Sequence, residues 1–73
     1  MDIRTIIKIN ELIERRATGN PKQLGSMLNL SERAVYNYLK FMKEELNAPI
    51  VYSKARGSYQ YEEFGGFVFR WGG

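Results

Sequence analysis

The stretch "PKQLGSMLNLSERAVYNYLK", residues 21–40, constrains the fold more than any other part of the chain. Apolar residues keep helical spacing on both sides of Asn29-Leu30-Ser31, so one short helix stops and another starts within three residues. A corner that short fixes the angle between its helices. Asn20-Pro21 marks the first start, with Asn as N-cap and Pro at the first helical position. The spacing predicts a helix over 21–28, with Leu24 and Leu28 on one face. Gly25 sits inside it, where Gly costs about 1 kcal/mol relative to Ala, so a neighbouring helix is expected to approach closely there. Asn is the non-glycine residue that best tolerates the left-handed backbone of a tight helix exit. Leu30 is expected to fold back onto the core, Ser31 to cap the next helix, and Glu32 to lie beside the positive end of its dipole. That helix is expected over 32–46, with Val35, Leu39, Met42 and Leu46 as its apolar stripe and Tyr38 at the edge. Asn47-Ala48-Pro49 ends it, because the residue before a proline is pushed out of the helical region.

Upstream, residues 2–17 read as another helix, with Ile3, Ile6, Ile7, Ile9, Leu12 and Ile13 spaced at threes and fours. Asp2 suits its start, Arg15 and Arg16 its C-terminal dipole, and Gly19 its stop. The apolar arc is roughly 220°, wider than a surface helix needs. Either the helix is central and touched on more than one side, or part of the arc meets a second protein chain. Downstream of Pro49 the period changes to two. Short strands are expected over 50–53 and 58–62, flanking a basic four-residue loop that ends in Gly57. Gly65-Gly66 breaks the chain again, and a C-terminal strand is expected over 67–71, with Phe67, Phe69 and Trp71 on one face. The result is one α+β domain spanning 1–73: three helices, a β-hairpin and a short C-terminal strand.

Composition narrows the chemistry. The 73 residues fit one small domain, with no cysteine for disulfides and no histidine as a general base or neutral metal ligand. No catalytic site, metal or cofactor is expected, and an enzyme is not expected. Glu62 and Glu63 read as a solvated strand end. The formal charge of +3 is unevenly spread: residues 15–57 carry eight Lys and Arg against three Glu, while both flanks are slightly acidic. Such a concentration is the footprint of a polyanion binder, or simply a solvated surface. No apolar run is long enough to span a bilayer and no secretory signal is evident, so a cytoplasmic protein is expected.

The order of helix, short helix, three-residue turn, longer helix and basic-tipped hairpin resembles the winged helix-turn-helix family of bacterial transcription regulators. The closest likeness is to the N-terminal DNA-binding domains of the DeoR type and of the biotin repressor. The resemblance covers residues 3 to about 61. The family's twenty-residue motif wants a small residue at its fifth place, a turn residue at its ninth and a β-branched residue at its fifteenth. Counted from Pro21, those places hold Gly25, Asn29 and Val35, with Leu24, Leu28, Leu30, Tyr38 and Leu39 at apolar places. The ninth place departs from the usual Gly, and Tyr38 is larger than the expected aliphatic residue.

The resemblance implies a sequence-specific double-stranded DNA binder whose recognition helix lies in the major groove. Base contacts are implied for Glu32, Arg33, Tyr36 and Asn37. Arg33 suits guanine and Asn37 adenine, both bidentately. Phosphate contacts are implied for Ser31, Lys40 and Lys43, and for Lys22 and Gln23 at the start of the second helix. Lys54 and Arg56 at the wing tip suit the backbone or a minor groove; otherwise they keep the hairpin soluble. A homodimer or side-by-side binding, a nucleoid-associated location and no small-molecule effector domain also follow as expectations. The competing reading is a winged-helix protein-interaction module without DNA readout. Tyr52, Tyr59 and Tyr61 fit either cross-strand packing or a stacking platform for single strands. Phe64, Phe67, Phe69 and Trp71 either finish the core or form a dimer contact.

Overall fold

A computed structural model describes residues 1–62. They form a small α+β domain in the order α1 (Ile3–Glu14), α2 (Pro21–Leu28), α3 (Glu32–Glu45), β1 (Ile50–Ser53) and β2 (Ser58–Tyr61). The expected strand over 67–71 and the aromatic residues Phe64, Phe67, Phe69 and Trp71 lie outside the described residues. Among the described residues, no helix is long and apolar enough to cross a membrane.

α1 is shorter than the 2–17 expected. Asp2 is its N-cap, accepting from the Arg4 N–H at 2.9 Å, and Arg15 is its C-cap. Arg16, not Gly19, takes the left-handed position that ends the helix, at φ 54°. Two bonds close the exit: Ala17 N–H donates to the Leu12 carbonyl at 2.9 Å and Arg16 N–H to the Ile13 carbonyl at 3.0 Å. This is the paired closure of a Schellman turn. The early exit has a tertiary cause, because Thr18 must drop fully into the interior against Ser58 of β2. There the Ser58 hydroxyl accepts the Thr18 N–H at 3.0 Å, and the Thr18 hydroxyl accepts the Tyr59 N–H at 2.8 Å. The remaining hydroxyl protons reach the Gly19 and Tyr59 carbonyls, each at 2.9 Å, so both buried hydroxyls are satisfied.

α2 has the expected bounds, with a detail that pattern reading overlooked. Asn20 and Gln23 form a reciprocal capping box: Gln23 N–H donates to Asn20 Oδ1, and Asn20 N–H to Gln23 Oε1, both at 2.8 Å. At the corner Asn29 adopts φ 58°, ψ 44°, and Ser31 caps α3 by accepting the Ala34 N–H at 3.1 Å. A Cβ on Gly25 would lie 2.6 Å from the Leu30 carbonyl oxygen and 3.4 Å from Val35 Cγ2. The close approach is therefore made chiefly by the backbone of the corner, and only secondarily by the neighbouring helix. α3 stops at Glu45 with Leu46 as C-cap, one residue short of expectation.

The strands pair antiparallel with Tyr52 opposite Tyr59 and Ile50 opposite Tyr61. β2 ends at Tyr61 rather than at 62, although the Glu62 N–H still donates to the Pro49 carbonyl at 2.7 Å. Gly57, at φ 65°, closes the loop by donating to the Ser53 carbonyl at 2.8 Å. One core holds the elements together: Ile6, Ile9 and Ile13 of α1, Leu24 of α2, Val35, Leu39 and Met42 of α3, and Ala48, Ile50 and Tyr59 beyond it. Each large apolar side chain fully buried there contributes roughly 1.5–3 kcal/mol. α1 is not enclosed all round: Ile3 is 63 % and Ile7 50 % exposed.

Candidate nucleic-acid interface

The buried stripe of α3, Val35, Leu39 and Met42, decides what its other faces present. At 100° per residue, Arg33, Asn37, Lys40 and Glu44 fall within an arc of about 60° nearly opposite that stripe. Glu32, Tyr36 and Lys43 form a second strip turned toward the hairpin. All seven are exposed, as is Ser31 at the helix mouth. The corner at 29–31 therefore breaks the rod and leaves Arg33, Tyr36 and Asn37 facing solvent. Among the described residues, no carboxylate pairs with Arg33, Lys40, Lys43, Lys54 or Arg56.

The hairpin stands beside the middle of α3. A shallow groove of about 380 Å³ runs between them, lined by Tyr36, Leu39, Lys40, Lys43, Glu44 and Tyr59. The Tyr52 and Tyr59 rings meet edge-on with centroids 4.9 Å apart. Tyr59 is buried, and burial is the main reason its phenol titrates above the ordinary value; Tyr36, Tyr52 and Glu32 add to the shift. Tyr59 and the half-buried Tyr61 are packing residues, whereas Tyr52 is 40 % exposed and Tyr36 51 %.

Lys54 and Arg56 are exposed at the tip of the hairpin loop. Lys22 and Gln23 are exposed on the first turn of α2, but the oxygen of Gln23 is committed to the capping box, leaving only its amide nitrogen as a donor. Ser31 likewise spends an acceptor lone pair on the Ala34 N–H and retains its hydroxyl proton. Two features are absent from the sequence reading. Glu44 closes the outward strip at its C-terminal end, where its carboxylate repels a phosphate that approaches past Lys40. The groove-lining pair of Tyr36 and Tyr59 depends on β2 packing beside α3, which helical periodicity alone cannot reveal. No family model, curated protein or solved structure matches the chain.

Proposed function

We propose that this chain is a winged helix-turn-helix protein that binds double-stranded DNA sequence-specifically and regulates transcription. The observation that carries the reading is the left-handed corner at Asn29, which leaves Arg33, Tyr36 and Asn37 exposed on α3. A major groove admits one α-helix, and its base edges are met by the N-terminal turns. α3 is the recognition helix: Arg33 and Asn37 read purines, Tyr36 and Glu32 read or bound the neighbouring step, and Ser31, Lys40 and Lys43 fix phosphates. The hairpin is the wing, with Lys54 and Arg56 on the backbone or in a minor groove. Lys22 and the amide nitrogen of Gln23 hold the strand that crosses α2. Such a protein acts in the cytoplasm on the nucleoid, and a two-fold operator would recruit two copies.

The test is selection of bound sequences from a random duplex pool. One enriched motif is expected, and Arg33→Ala and Asn37→Ala should each relax it at a different base. Enrichment of no motif would refute the reading. A second reading, an interaction module without DNA readout, is favoured by the exposed Ile3 and Ile7. It predicts a stoichiometric protein partner whose recovery is indifferent to Arg33→Ala and Asn37→Ala.

A further inference from the structure

α1 leaves an apolar strip bare on one side of the domain. At 100° per residue, Ile3, Ile7, Asn10 and Glu14 share an arc of about 60°. Ile6, Ile9 and Ile13 are buried beside that strip, yet Ile3 and Ile7 remain 63 % and 50 % exposed. Single exposed apolar side chains are ordinary; two adjacent ones at the margin of the core of so small a domain form a patch that asks for a cover. The next residue of the strip shows where a cover can enter. The Tyr61 hydroxyl, from the last residue of β2, donates to Asn10 Oδ1 at 2.5 Å. The side chain of the last strand residue thus reaches the strip on which Ile7 and Ile3 lie.

We propose that the aromatic segment at 67–71 docks in cis on the Ile3 and Ile7 strip of α1. The sequence pattern fits the surface: Phe67, Phe69 and Trp71 share one face at period two, and Gly65-Gly66 separates them from the hairpin. The reach is sufficient. Asn10 to Ile3 is roughly 10 Å along a helix, and five extended residues from Glu62 to Phe67 span up to roughly 16 Å. Tethering makes the contact intramolecular, so the segment outcompetes a second copy of the chain at ordinary concentrations. The face that gives α1 its wide apolar arc is then covered by the chain itself. This inference stands independently of the DNA-binding reading.

Trp71 is the only tryptophan, so its fluorescence reports the docking directly. In the full chain its emission is expected at short wavelength, with acrylamide quenching severalfold weaker than for a free indole and unchanged on dilution. The double variant Ile3→Ser, Ile7→Ser should restore free-indole quenching while retaining the helical circular dichroism of the parent. Met27→Ser, which removes an apolar side chain 52 % exposed elsewhere, should change nothing. If the double variant fails to fold, nuclear Overhauser contacts in a mixed-isotope sample of the parent decide. Contacts from the Trp71 indole to the Ile3 and Ile7 methyls of the same chain support the proposal. A solvent-exposed indole, contacts elsewhere on the domain, or contacts only between chains overturn it.

Discussion

Replacing Gly25 with alanine sets two effects of known sign against each other. Within α2 alone the change is favourable by about 1 kcal/mol, because Ala is the better helix former. The surroundings oppose it. The new Cβ would lie 2.6 Å from the Leu30 carbonyl oxygen, a backbone atom that cannot rotate away. The same residue pair is tied by the Leu30 N–H, which donates to the Gly25 carbonyl at 2.8 Å. Relief therefore moves the corner itself. Overpacking of this kind costs about 1–3 kcal/mol, and weakening the tie adds about 1 kcal/mol. Net destabilisation of about 1–3 kcal/mol follows. For a domain of this size it lowers Tm by about 4–8 °C per kcal/mol. Urea titration should move the midpoint with the slope unchanged. Gly57→Ala is the matched control: nothing lies within 4 Å of its Cβ, but its φ of 65° is unfavourable for Ala. Asn, which tolerates left-handed backbone, should restore most of the loss at 57 and none at 25. A Gly25→Ala protein more stable than the parent would refute the close-approach account of the corner.

Three further outcomes follow from the same geometry. Asn29→Ala should lose about 1 kcal/mol in chemical denaturation, because its φ of 58° penalises a Cβ without a local polar partner, whereas Asn29→Gly should match or exceed the parent. Ser58→Ala leaves the buried Thr18 N–H without its 3.0 Å acceptor and should cost about 1–3 kcal/mol; a loss within error would show that the hairpin is anchored otherwise. Tyr59 titrates above its ordinary value of 10.0, chiefly through burial. The unfolded chain then releases the phenolic proton first, so the stabilisation is complete below that value and lost as pH rises through the folded one. Denaturation measured across the alkaline range should show a shallower decline for Tyr59→Phe than for the parent.

The corner was readable because its determinants are local. Asn29, Ser31 and Pro21 each do what their own backbone and side-chain chemistry prescribes, so α2 and the start of α3 fall where the pattern places them. The capping box from Asn20 to Gln23 is equally local, since Asn as N-cap followed three residues later by Gln carries its signal. The end of α1 was not readable. Gly19 offers the better stop, but burial of Thr18 against Ser58, forty residues away, forces the turn onto Arg16. Exposed positions on α3 followed from its buried stripe. The partnership of Tyr36 with Tyr59 across the groove rests on packing between distant segments, and the pairing of Tyr61 with Asn10 is likewise tertiary.

The central claim is that the corner at Asn29 presents the exposed face of α3, with Arg33, Asn37 and Lys40, together with a basic hairpin tip, to duplex DNA. It is tested most directly by titrating a selected duplex at several salt concentrations. If Lys40, Lys43, Lys54 and Arg56 each meet a phosphate, log K against log[salt] should slope at about −3.6, and each single Ala variant should flatten it by about 0.9. A slope near zero, unchanged in all four variants, would contradict the account.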